Sequence, residues 1–83
     1  MALLEKVFVD SINITELNVI EVRTASAIFK DDQEISRNFH RHSLAPIDDI
    51  TNEDPKVKAI ANVIWTKEVI DNYKVYLESI AKK

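Results

Sequence analysis

The residues best suited to chemistry lie in one short run, His40-Arg41-His42, which holds the chain's only two histidines. Two histidines at i and i+2 of a strand point to the same side, a geometry that can ligate a metal. Such a site needs a third ligand. Across the expected strand pairing stand Thr24 and Val22, neither of which serves. Asp48 or Asp49 reach back only if the following connector folds over. The reading from the residues is therefore two strand histidines bonded to neighbours or to water, and no metal ligand is assigned.

A second set of donors is acidic: Asp48, Asp49, Asn52, Glu53 and Asp54. Their spacing matches no EF-hand loop and lacks its turn glycine. A solvated loop that caps a helix is the expectation. A third set is cationic. Arg37 and Arg41, with His40, His42, Arg23 and Lys30, give this stretch positive character, and Phe39 could stack a base. Yet the same stretch, 19–46, holds Glu21, Asp31, Asp32 and Glu34, which offset its four Arg and Lys. With a net charge of −3 overall, the electrostatic footprint of a nucleic-acid binder is missing, and nucleic acid is not an expected partner. Nucleophile, base and orienting group occur in no spacing that recurs in a known catalytic motif. Ser43 adjoins His42, but adjacent strand residues face opposite ways. Trp65 reads as a core or interface anchor. Arg37, His40, Arg41, His42 and Trp65 are thus candidates for an interaction surface. No catalytic residue, cofactor site or cofactor is assigned, and the chain is not expected to be an enzyme.

The elements that must position these residues follow from the pattern. Lys6 to Thr15 reads as a first strand rich in β-branched and aromatic residues, with apolar residues on both parities. Thr15-Glu16-Leu17-Asn18 is a reversal, with Asn18 the residue most tolerant of positive φ. Two longer runs, Val19–Lys30 and Glu34–Ala45, form a hairpin closed by Pro46. A three-residue loop, Asp31-Asp32-Gln33, pairs Lys30 with Glu34, Phe29 with Ile35 and Ala25 with Phe39. This register places Ala25, Ala27, Phe29, Ile35 and Phe39 on one face, the expected core face. It also sets Arg23 opposite Arg41 and puts Gln33 in a left-handed conformation. Ile20, Val22, Thr24, Ser26, Ile28, Ser36, Asn38, His40, His42 and Leu44 share the other face, left for water or a partner.

Asp54-Pro55 is a helix start, with Asp as N-cap and Pro at the first helical position. Val57, Ile60, Ala61 and Ile64 recur at helical spacing between Pro55 and Trp65. Thr66 is a second N-cap candidate, followed by a helix from Lys67 to Ala81. That helix carries Val69, Ile70, Tyr73, Tyr76, Leu77 and Ile80 on one side. Asp71–Lys74 and Glu78–Lys82 are expected ion pairs on its wetter side. The predicted fold is α+β: a three-stranded antiparallel meander followed by two C-terminal helices packed on one sheet face. Residues 1–83 form one domain, with the meander over 6–46 and the helical part over 55–81.

Composition bounds the rest. The chain has 83 residues, 46% of them hydrophobic, no Cys and no Gly. Without glycine, phosphate loops of the dinucleotide or P-loop type are excluded. Without cysteine, no disulfide supports so small a core, whose stability would be roughly 4–12 kcal/mol. The start, Met1-Ala2-Leu3-Leu4-Glu5-Lys6, meets charge too soon for a signal-peptide apolar region. No apolar run approaches the ~20 residues that span a bilayer, so neither secretion by signal peptide nor a membrane is expected.

One further pattern runs through the chain: Val22-Arg23-Thr24-Ala25, then Glu34-Ile35-Ser36-Arg37-Asn38-Phe39-His40-Arg41-His42, Pro46, Glu53-Asp54, Val57, Ala59-Ile60-Ala61 and Trp65-Thr66. It resembles a family of small uncharacterised proteins of tailed bacteriophages, of the marine and cyanobacterial phage type. Relatives carry Asp-Gly in the hairpin turn, where this chain has Asp32-Gln33. The resemblance implies a small, non-enzymatic viral protein, located in the host cytoplasm or the virion. The expected function is a structural or assembly accessory acting through protein–protein contacts. Its partner would be itself, as a homo-oligomer, or another phage or host protein. The alternative is a regulatory binder of host protein or nucleic acid using the Arg/His face of the hairpin.

Overall fold

The computed structural model describes residues 3–81. Three strands, β1 (Leu3–Ile14), β2 (Ile20–Lys30) and β3 (Gln33–Leu44), form one antiparallel sheet in the order β1-β2-β3. Two helices follow, α1 (Pro55–Ile64) and α2 (Lys67–Ala81). The architecture is the predicted α+β meander with C-terminal helices. The pair Glu78–Lys82 lies outside the described residues. In place of Asp71–Lys74, Asp71 meets Lys67 at 3.7 Å. Among the described residues no helix is long and apolar enough to cross a membrane.

Local chemistry explains each boundary. Asn18 takes φ 63° in the β1–β2 reversal, as its short polar side chain permits. The Asp54 carboxylate accepts from the Lys56 amide, and Pro55 opens α1. The Thr66 hydroxyl accepts from the Val69 amide at 3.2 Å and opens α2.

The hairpin departs from expectation at its tip. Pairing is as predicted from Ile20↔Leu44 to Ile28↔Ser36, Ala25↔Phe39 and Arg23↔Arg41 included. Beyond it, Phe29 faces Glu34 and Lys30 faces Gln33, so Ile35 is the extra residue of a bulge. The turn is therefore two residues, Asp31-Asp32, with φ of 52° and 69°. Gln33 is not left-handed. A two-residue turn of this hand matches the strand twist, which a wider loop would not, and Asp tolerates the conformation better than Gln.

A second bulge sits in β1. Val9 pairs with Thr24 and Ser11 with Arg23, which leaves Asp10 as the extra residue. The bulge explains the broken alternation in the sequence. Val7 and Val9 before it, and Ile12 and Ile14 after it, all lie on the face of Ile20 and Val22.

The core sits on that face, at one end of the sheet. Ile20, Val22, Leu44, Val57 and Ala61 are buried together, with Val9, Ile12, Ile50, Ile60, Ile64 and Trp65 packed around them. This corrects the expected core face. At the end that α1 can reach from Leu44 and Pro46, the Ile20 face is aliphatic. The opposite face carries Ser11, Asn13, Glu21, Arg23, Arg41 and Ser43 there. Phe29, Ile35 and Phe39 lie on the opposite face, Ile35 and Phe39 exposed and Phe29 half-buried. Of the two helices, only α1 contributes buried residues; α2 has none. The result is elongated, 58 × 27 × 19 Å.

Candidate interaction surface

The strand period of 2 divides the five candidate residues. His40 and His42 lie on the helix-bearing face, with ring centroids 6.2 Å apart. Arg37 and Arg41 lie on the other face, opposite Ala27 and Arg23. Trp65 belongs to neither. It ends α1, and its indole Nε1 donates to the Asn18 carbonyl at 2.7 Å. The half-buried ring thereby ties the helix junction to the β1–β2 turn.

His40 is exposed, as expected, whereas His42 is half-buried. The acidic connector folds back to His42, where Glu53 rather than Asp48 or Asp49 meets it. Their Oε1–Nε2 distance is 2.8 Å, with both side chains half-buried. Asp48 instead accepts from the Ala45 amide at 2.7 Å. Asp49 accepts from both the amide and the hydroxyl of Thr51, which holds its carboxyl below the usual carboxylate range. Among the described residues no three His, Asp or Glu side chains are placed to hold a metal ion.

The opposite face, free of helices, is built from charge and aromatic rings. The bulge turns the Asp10 carboxylate toward Arg23, which donates from Nε at 2.9 Å and from a terminal nitrogen at 3.0 Å. Arg37 reaches the same carboxylate at 3.7 Å and forms a two-point pair with Glu34 at 2.6 and 2.9 Å. Hydrogen bonding from Arg23 lowers the Asp10 pKa, and hydrogen bonding from Arg37 lowers that of Glu34. Each cation also covers a ring: Arg23 lies 4.5 Å from the Phe39 centroid, Arg37 5.2 Å from Phe8 and Lys6 5.2 Å from Phe29. The like-charged pair Arg23–Arg41 is thus offset by Asp10. Arg41 itself forms no ion pair among the described residues.

Ala25 and Ala27, fully buried on the central strand, form the floor of this face. Phe8 and Phe39 rise on either side, being the neighbours of Ala25 on β1 and β3. Arg37 reaches from β3 across the central strand to Asp10 and Phe8 of β1, so the alanines are covered and the face is a layer of aromatic rings and ion-paired arginines. Sequence reading missed Asp10, placed Glu34 opposite Lys30 rather than beside Arg37, and named Glu53 only as one of the acidic connector residues. The one available signal was Asp10, a carboxylate that interrupts an apolar strand.

Fold and surface define a small α+β protein with one open sheet face. No family model, curated protein or solved structure matches the chain.

Proposed function

We propose that the protein is a non-enzymatic structural or assembly accessory acting through protein–protein contacts, of the tailed-phage kind its sequence resembles. Its place of action is the host cytoplasm or the virion. The observation that carries this reading is the exposed apolar surface on the helix-free sheet face. Leu4, Phe8, Ile35 and Phe39 are all exposed there, at 55, 37, 55 and 46%. Apolar surface gathered on one face with a polar rim marks an interaction site. Arg23 and Arg37 on this face are already paired with carboxylates, so covering them costs less than desolvating free charges. β1 and β3 also present unpaired outer edges.

The test is mass spectrometry of purified particles and assembly intermediates from infected cells. The protein should be present, and Phe39→Glu should lose its place there while keeping its fold. Absence from every particle and intermediate overturns the reading. A regulatory binder built on the Arg/His hairpin has less support, because the arginines and histidines lie on opposite faces and Arg37 is engaged by Glu34.

A further inference from the structure

The outer edge of β3 is the least covered backbone of the sheet. Every residue from Gln33 to Arg41 is exposed, and no strand lies beyond β3. None of the turn and loop backbone bonds among the described residues reaches it. The edge of β1 is less regular, because the Asp10 bulge interrupts it, whereas the Ile35 bulge of β3 lies next to the hairpin tip. An unpaired edge of this kind is a template for another strand. Arg41 adds a demand of charge. It stands opposite Arg23, whose carboxylate partner is Asp10, and forms no ion pair among the described residues.

We infer that the outer edge of β3 pairs antiparallel with the β3 edge of a second copy of this chain, about a two-fold axis at Asn38, joining the two sheets into one. The inference rests on the reading of the protein as one that works by protein–protein contacts, and it names the partner and the contact.

Register singles out this arrangement. Residues that meet across a continuous sheet must lie on the same face. An axis at Phe39 sets Arg37 against Arg41, and an axis at Arg41 sets that arginine against its own copy; like charges directly opposite are destabilising. An axis at His40 sets Arg41 against Phe39 and gives it no carboxylate. An axis at Asn38 sets Ser36 against His40 and Arg37 against Phe39. Past Ser36 the Ile35 bulge takes up one residue, so Glu34 lies against Arg41 of the second copy. The same bulge turns Glu34 onto the face of Arg37, which it holds at 2.6 and 2.9 Å. A carboxylate accepts from more than two donors, so Glu34 keeps Arg37 and takes Arg41 as well. Asp10 is shared by Arg23 and Arg37 in the same way. At the axis the two Asn38 amides meet, each with a donor and an acceptor to offer. A contact one strand wide is smaller than a stable interface, so the dimer is a weak one that forms as concentration rises.

The absence of cysteine allows the register to be tested on the full-length chain. Opposite residues of an antiparallel pair have Cα atoms about 4.5–5.5 Å apart, within disulfide reach. Under mild oxidation, Asn38→Cys should crosslink with itself. Ser36→Cys and His40→Cys should crosslink when mixed, and each alone should give little. Light scattering should report a mass rising from one copy towards two with concentration. Arg41→Glu, at an exposed position, should keep the fold by circular dichroism and weaken association roughly tenfold. A crosslink formed by Phe39→Cys alone or His40→Cys alone, in place of Asn38→Cys, would move the axis and overturn the inference. Association unchanged in Arg41→Glu overturns it, and so does a monomer at every concentration. If that monomer is still found in particles, the broader functional reading stands and only the partner is wrong.

Discussion

At the scale of single residues, Asp10 has the widest influence. It joins Arg23 and Arg37 and makes tolerable the Arg23–Arg41 pair across the strands. Its pKa lies below the ordinary value because Arg23 donates to the charged form. The unfolded chain therefore takes up a proton before the folded one does as pH falls. The contribution of Asp10 is complete above the ordinary carboxylate pKa of ~3.9 and is lost as pH drops through the lowered value in the fold. Glu34 acts in the same direction. The urea midpoint should thus fall between about pH 5 and pH 2, and more gently in Asp10→Asn, where one such carboxylate is gone. An unchanged slope would assign the acid sensitivity elsewhere. Trp65 gives a second prediction at this scale. Trp65→Phe removes the bond to Asn18 while keeping most of the ring, and should cost about 1 kcal/mol in chemical denaturation. Loss of several kcal/mol would mean that the indole packing matters more than its donor.

At the scale of elements, the two bulges and the tight turn set what each strand presents. Strand identity and most of the register were legible in the sequence. Turn residues, Pro46 and the alternation on β2 leave little freedom there. The bulges were not legible, because an extra residue is held by bonds to a neighbouring strand and not by its own propensity. Asp31 and Asp32 both occupy a left-handed conformation that Asn and Gly adopt more easily. The double change Asp31→Asn with Asp32→Gly should stabilise the hairpin by about 1 kcal/mol, read as a raised urea midpoint. Destabilisation would show that the turn in solution is the three-residue form. The helices behave differently from one another. α1 was legible from Asp54-Pro55 and from Val57 and Ala61, both of which are buried. The apolar side of α2 was equally legible, but its destination was not.

At the scale of the whole molecule, the core is small and lies at one end. Five buried residues from β2, β3 and α1 anchor the sheet, while the hairpin tip and α2 extend from it. Ile20→Ala should therefore cost about 2–5 kcal/mol, a large share of the roughly 4–12 kcal/mol available, and leave much of the chain unfolded at 37 °C. Phe39→Ala, on the exposed face, should change the unfolding midpoint far less. Hydrogen exchange offers a complementary view. Amides of β2 should be protected up to the global limit and those of α2, which has no buried residue, much less. Equal protection of both elements would show that α2 unfolds only with the core.

The sequence by itself determined the order of strands and helices, the single sheet, the caps, and the partition of β2 and β3 side chains between two faces. These are local matters, set by backbone propensity and by a side-chain period of 2 or 3.6. Only the tertiary structure decided which face the helices cover. The aromatic residues of the hairpin made the Phe39 face look like the core. A helix starting shortly after Pro46 reaches only the near end, where Ile20, Val22 and Leu44 offer the aliphatic side. The same geometry decided the fate of His40-Arg41-His42. Alternation sends Arg41 to the open face, and the returning connector brings Glu53 to His42, a contact across 11 residues of chain that no local pattern encodes.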